Sequence, residues 1–111
     1  MICEFGDVVV VPFPFVDMPV VRRRPSLILS ALDFNRAHGQ SVLAMITTAA
    51  RSAWPSDIPI ADVTSVGLLQ PSTIRFKLFT LPNDLITQKL GVLSRQDRAK
   101  VSRASRAILA A

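Results

Sequence analysis

Gly6-Asp7-Val8-Val9-Val10-Val11-Pro12-Phe13-Pro14-Phe15-Val16 is the stretch on which the fold turns. From Val8 to Val16 it holds only apolar residues, mostly Val and Phe, which is strand composition. Pro12 and Pro14 lack the N–H that a central strand donates, so this strand must bend or run along an edge. Broken by two prolines, the run is also too short to cross a bilayer.

Working outward, Asp17-Met18-Pro19 begins a loop that ends in Arg22-Arg23-Arg24 and is closed by Pro25. Leu27-Ile28-Leu29 then makes a second strand. Leu32 to Gln40 reads as a connection, with Asn35, His38 and Gly39 as turn formers. Ser41 to Thr48 reads as a buried third strand. A polar loop from Ala49 to Asp57 carries Arg51 and Trp54, and Ile58-Pro59-Ile60 makes a short strand. Gly67 marks a turn before Leu68 and Leu69. From Ser72 to Leu81 the chain alternates, with Ile74, Phe76 and Leu78 on one face and Arg75, Lys77 and Phe79 on the other. Pro82-Asn83-Asp84 stops it, and Leu90 to Leu93 forms a last short strand.

The end of the chain differs in kind. Ser94-x-x-Asp97 is a capping box, which satisfies free N–H groups at a helix start. Val101, Ala104, Ser105 and Ile108 follow on one helical face, with Arg95, Arg103 and Arg106 opposite. Five or more short strands before one amphipathic helix predict a mainly β fold, a small curved barrel with the helix packed on it. At 111 residues the chain has room for one domain, spanning 1–111.

Half the residues are apolar, more than one small barrel hides, which predicts a homodimer. Thirteen Lys and Arg against eight Asp and Glu leave a formal charge of +5. That balance, with a pI near 10.7, points to a polyanion: nucleic acid, an anionic membrane surface or an acidic protein. Cys3 is the single cysteine, so no internal disulfide forms, and no Cys/His cluster suggests a metal site or cofactor. With Glu4 and Asp7 where a leader would carry none, a cytoplasmic protein with no membrane segment is expected.

Taken in order, five pieces resemble the MazF/PemK/Kid toxins. These are Gly6 to Phe15 with Arg23-Arg24-Pro25, Met45-Ile46-Thr47-Thr48, Gly67-Leu68 through Ser72, Lys77 to Leu81, and Leu90-Gly91-Val92-Leu93-Ser94. The resemblance covers essentially the whole chain. It implies an SH3-like barrel dimer that cleaves single-stranded RNA at short motifs without metal, the RNA's own 2′-hydroxyl attacking the adjacent phosphate. It also implies a cognate antitoxin whose acidic tail fills the RNA groove.

Such a reaction gathers negative charge on phosphoryl oxygens and needs fixed positive charge there. Arg24 suits that task, because a planar guanidinium can hold two phosphate oxygens at once and Pro25 fixes the backbone after it. In the family the catalytic arginine stands in the Arg-Pro step, which carries over to Arg24; three adjacent arginines are otherwise commonly a solvated loop. Thr47 is the second catalytic carry-over, its hydroxyl set to donate to the phosphate, although threonine is also a common strand residue. Thr48, where many relatives have Ser, and Ser72 join the substrate-binding set. Arg22, Arg23 and Arg75 are expected to bind backbone phosphates. His38, the only histidine, is more a turn residue than an acid–base group, and Trp54 is open to base stacking or to a protein contact. One departure stands out: many relatives carry an acid in the segment that here reads Ile74-Arg75-Phe76-Lys77. Two other readings remain. One is a gyrase-poisoning toxin on the same fold, whose terminal Trp-Gly-Ile is replaced here by Ala107-Ile108-Leu109-Ala110-Ala111. The other is an inactive RNA-binding module.

Overall fold

The structure, a computed structural model, describes residues 1–13, 22–48 and 53–110. Pro14, the loop opened by Asp17-Met18-Pro19, and Arg51 lie outside the described residues. The strands are β1 (Asp7–Phe13), β2 (Arg22–Ile28), β3 (Gln40–Thr47), β4 (Ile58–Pro59), β5 (Thr73–Pro82) and β6 (Gln88–Val92). All pair antiparallel in one sheet of order β4-β5-β3-β2-β1-β6. Register shifts at Val8/Val9 and at Ala44/Met45 add local twist and bend the sheet into a half-barrel.

The unbroken valine run of β1 has its reason in the layers. Val8 packs with Leu27, Ala44, Ile46, Ile74, Phe76 and Val101 on one face, all buried. Val9 and Val11 pack with Cys3, Ile28, Leu43, Leu81 and Ile86 on the other. A strand covered on both faces reads as a continuous apolar run rather than an alternating one. Cys3 sits in the second layer as a small hydrophobe, where burial pushes its thiol pKa up.

Both prolines are accommodated by ladders that stop short. β6 pairs with β1 only from Asp7 to Val10, so Pro12 stands beyond it, and β3 pairs with β2 only from Ser26 to Ile28, leaving Pro25 beyond that. Each proline thus sits where its strand has one neighbour, although β1 and β2 are interior to the sheet.

Four expectations are corrected. Arg22-Arg23-Arg24 is not loop: the three residues open β2, paired across from the end of β1. Leu32 to Gln40 is not a plain connection, because Leu32–His38 forms a helix, α1, closed by Gly39 at φ 63°. At seven residues it is too short to show helical periodicity, and its buried residue is polar. Asn35 donates to Cys3 O (2.8 Å) and to Ser30 O (3.2 Å), and it accepts from Ser30 Oγ (2.5 Å). The last strand begins at Gln88, earlier than Leu90, because Gln88 and Lys89 are polar residues on an edge; Lys89 reaches the buried Asp7 at 3.2 Å. Gly91 in that strand lies so close to the 3-10 turn at Thr64–Val66 that a Cβ would meet Ser65 O at 2.6 Å.

The capping box is the fourth. The terminal helix α2 (Arg95–Leu109) does begin with Ser94 Oγ accepting from the Asp97 N–H, at 3.1 Å. The Asp97 carboxylate, however, does not turn back to the helix start. It accepts from Ala61 N (3.0 Å) and Asp62 N (3.4 Å), fastening α2 to the segment after β4. Val101 and Ala104 pack on the sheet as the periodicity predicts, and Arg95, Arg103 and Arg106 are exposed. Among the described residues no helix is long and apolar enough to cross a membrane.

Candidate functional site

Antiparallel register does what sequence spacing cannot: it carries Arg24 and Thr47 to the same end of neighbouring strands. β2 and β3 pair as Ser26 with Met45, Leu27 with Ala44 and Ile28 with Leu43. There the ladder stops, and Arg24 stands two residues past Ser26 on β2 as Thr47 stands two past Met45 on β3. Val11 pairs with Arg24 on one side, and Thr47 pairs with Thr73 on the other. Directly opposed residues share a face. Val9, Ser26, Met45 and Arg75 therefore form one row, and the pairs Val11–Arg24 and Thr47–Thr73 lie on the same face about 7 Å further along their strands. Arg22 falls on the same face as Arg24, while Arg23 projects to the opposite one.

Arg22, Arg23 and Arg24 are all exposed. Among the described residues none of them meets a carboxylate at ion-pair distance, since their partners across the ladder are the apolar residues of β1. Thr47 is half-buried at the strand end and Thr48 is exposed just beyond it. Thr48 and Ser72 line a cavity of about 270 Å³ with Pro25, Leu68, Leu69 and Gln70. Ser72 is only 6% exposed and its hydroxyl donates to Gln70 O at 2.9 Å, so in this structure it shapes the cavity wall.

Arg75 has a partner that sequence reasoning missed. Its Nε and Nη2 donate to the two oxygens of Asp57 at 3.1 and 2.9 Å. Asp57 also accepts from the Trp54 N–H at 3.0 Å, and its own N–H donates to Trp54 O at 3.0 Å. The guanidinium lies over the Trp54 ring, 5.5 Å from its centroid. Hydrogen bonding from Arg75 is the main reason why Asp57 stays below its ordinary carboxylate pKa, helped by the Trp54 N–H and opposed by burial. The same bond raises Arg75. Thus the segment Ile74 to Lys77 has no carboxylate of its own, yet the fold delivers one to it. Trp54-Pro55-Ser56-Asp57 carries a local turn signal with Pro in second place, but nothing local links Asp57 to a residue eighteen positions on.

His38 is placed elsewhere. It ends α1 and precedes β3, whereas Thr47 closes β3, so the two stand at opposite ends of that strand, roughly 25 Å apart. Its ring packs on Phe34 at 4.5 Å. Among the described residues no three His, Cys, Asp or Glu side chains gather in a way that could hold a metal ion.

The backbone arrangement has close structural counterparts. An endoribonuclease in complex with its cognate antitoxin, from a mycobacterial species, superposes with a TM-score of 0.76 at 20% identity, over 98% of this chain and 94% of that one. MazF from Deinococcus radiodurans superposes at 0.76 and 18% identity, over 100% and 99%. The MazE–MazF assembly of the same organism gives 0.77 and 18%, over 99% and 98%. At such identities these likenesses establish the fold. No curated protein matches by sequence. A family model does match, over residues 4–109, and that range takes in both strands of the arginine–threonine row and the capped terminal helix. With the half-barrel, the order of its strands and nearly the whole length in agreement, the chain belongs to the PemK-like, MazF-like toxins of type II toxin–antitoxin systems.

Proposed function

We propose that the chain is an endoribonuclease toxin that cuts single-stranded RNA, with Arg24 and Thr47 at the scissile phosphate. The 2′-hydroxyl gives up its proton as its oxygen bonds to phosphorus, the bond to the 5′-oxygen breaks as that oxygen takes up a proton, and the products are a 2′,3′-cyclic phosphate and a 5′-hydroxyl. Arg24 bridges the phosphoryl oxygens as charge builds on them. Thr47 donates a hydroxyl from across the ladder and orients the attacking group. Arg22 and Thr48 hold flanking phosphates and place the strand without reading it, while Arg23, on the other face of β2, adds its charge at longer range.

The observation that carries this reading is an exposed guanidinium, without an ion-pair partner among the described residues, at the same end and on the same sheet face as a threonine hydroxyl of the neighbouring strand. The solved relative named as an endoribonuclease, and the antitoxin bound to it, extend the proposal to this chain. An acidic antitoxin segment would compete with RNA for the same basic face. A second copy would cover Ile108 and Leu109, which are exposed at the end of α2 beside an apolar cavity of about 230 Å³. Light scattering should then give twice the 12.1 kDa chain mass.

The test is a long RNA incubated with purified protein in EDTA, followed by analysis of product ends. Cleavage yielding cyclic phosphates is expected. RNA that is bound but intact leaves the chain a binding module, and the absence of both directs attention to a protein target.

A further inference from the structure

Trp54 is 40% exposed, yet it is held from several sides. Asp57 closes the turn that carries it through two hydrogen bonds, and the same carboxylate grips Arg75, whose guanidinium covers the indole. Asp57 and the Arg75 side chain are each only 13% exposed. A tryptophan ring left partly open to solvent while its backbone and its cationic neighbour are fixed has lost its freedom before anything binds. Such preorganisation removes the ordering cost that a flexible aromatic would meet on binding.

Its position names the occupant. Arg75 stands in the row next to Arg24 and Thr47, on the same face of the sheet, and across Met45 from Ser26. Strands are about 4.8 Å apart and rows about 7 Å apart, so Arg75, one strand over and one row along, stands about 8–9 Å from Thr47, a reach comparable to one nucleotide step, and the ring lies against its guanidinium. The same face is cationic at Arg24 and, farther along β2, at Arg22. Unpaired bases stack on aromatic rings set beside a basic track.

We propose that Trp54 is a stacking platform for an unpaired RNA base flanking the cut phosphate, set in place by the Asp57–Arg75 pair. The proposal rests on the endoribonuclease reading and adds a subsite to it. Every base has a π-face, so the platform accepts all four. A purine covers more of the indole than a pyrimidine, so purines are preferred at this position. Asp57 and Arg75 are positioning residues for the ring.

The chain offers its own probe, since it contains one tryptophan and no tyrosine. Full-length Arg24→Ala protein, which leaves the RNA uncut, is titrated with an unlabelled single-stranded RNA while indole emission is followed. Binding of the same RNA, fluorescein-labelled, is followed separately by anisotropy. Emission should fall about twofold or more on binding. Replacing nucleotides one at a time with abasic residues should restore emission at a single position. Trp54→Ala should weaken binding by about five- to a hundredfold, the range expected for one lost stack. That penalty should vanish on the RNA abasic at the same position, and Trp54→Phe should recover most of it. Asp57→Asn should give a smaller loss in the same direction. Binding without quenching overturns the platform and leaves the endoribonuclease reading standing. So does Trp54→Ala protein that binds as tightly as its parent, or quenching by an acidic peptide but not by RNA. Failure to bind RNA at all removes both.

Discussion

The two ends of β3 handle polar groups in opposite ways. At its start, Asn35, Ser41 and Asn83 are buried and saturate one another: Ser41 Oγ donates to Asn83 Oδ1 at 2.6 Å, and Asn83 Nδ2 donates to Asn35 O at 2.8 Å. Ser30 Oγ joins them by accepting from the Val42 N–H at 2.8 Å. At its other end Thr47 is half-buried and Thr48 exposed, with Arg22 and Arg24 exposed on the neighbouring strand. A buried polar group without a partner is costly, so the first end must be complete within the chain. An exposed cation without a partner costs little in water and stays available for an anion. One strand therefore carries an end closed on itself and an end that leaves exposed cations beside it.

The sharpest way to break that contrast is at Arg24. Arg24→Ala should lower single-turnover cleavage of a fluorogenic RNA by about 10²–10⁴, as expected for a lost preorganised donor. Arg24→Lys should recover little, for an ammonium has charge without the fork. Stability should be unchanged by urea titration. A wild-type rate at saturating enzyme would reduce Arg24 to a binding residue.

Asn35→Ala should do the reverse. It removes the partners of Cys3 O, Ser30 O and Ser30 Oγ inside the protein, and about 2–4 kcal/mol of stability should go with them. The folded fraction should still cleave at a normal saturated rate. A urea midpoint that does not move would mean that water reaches this end.

Arg22→Ala and Arg23→Ala should each weaken RNA binding a few-fold, and each should flatten the log–log salt dependence by about 0.7. The saturated rate should hardly change. Because Arg23 lies on the opposite face of β2, a smaller effect there than at Arg22 would sharpen the assignment of the groove to one face.

A pH titration separates the site from its scaffold. The carboxyl of Asp57 is lowered from 3.8 in the folded chain, so its grip on Arg75 contributes fully above that value. The contribution fades as the pH falls through the lower folded value. Indole emission from Trp54 should shift in that acid range before the far-ultraviolet circular dichroism changes.

The smallest effect belongs to His38→Ala, which should leave cleavage within about twofold, as usual for a surface substitution away from the site. Its ring stacks on Phe34 at the stabilising end of β3. A hundredfold loss with the fold intact would place an acid–base role there and erase the contrast between the two ends.

Much of this was legible locally. The valine run, the alternation in Ser72 to Leu81 and the serine cap of α2 are signals carried by adjacent residues, and strand or helix follows from β-branching, period and N–H satisfaction. The Arg24-Pro25 step is likewise visible as written. What escaped reading was in each case a contact between distant segments. Asn35 makes α1 a structural element, though its helix is too short for periodicity to register. Asp97 looks like a helix cap and serves the backbone of Ala61 instead. Asp57 reaches Arg75 only because β4 pairs with β5. That Arg24 and Thr47 share a face depends on which faces of β2 and β3 are buried, since a slip of one residue would turn every side chain over. Element type is a local property of the chain; which guanidinium, hydroxyl and carboxylate share one face is decided by register, and register by the two-sided packing of the sheet.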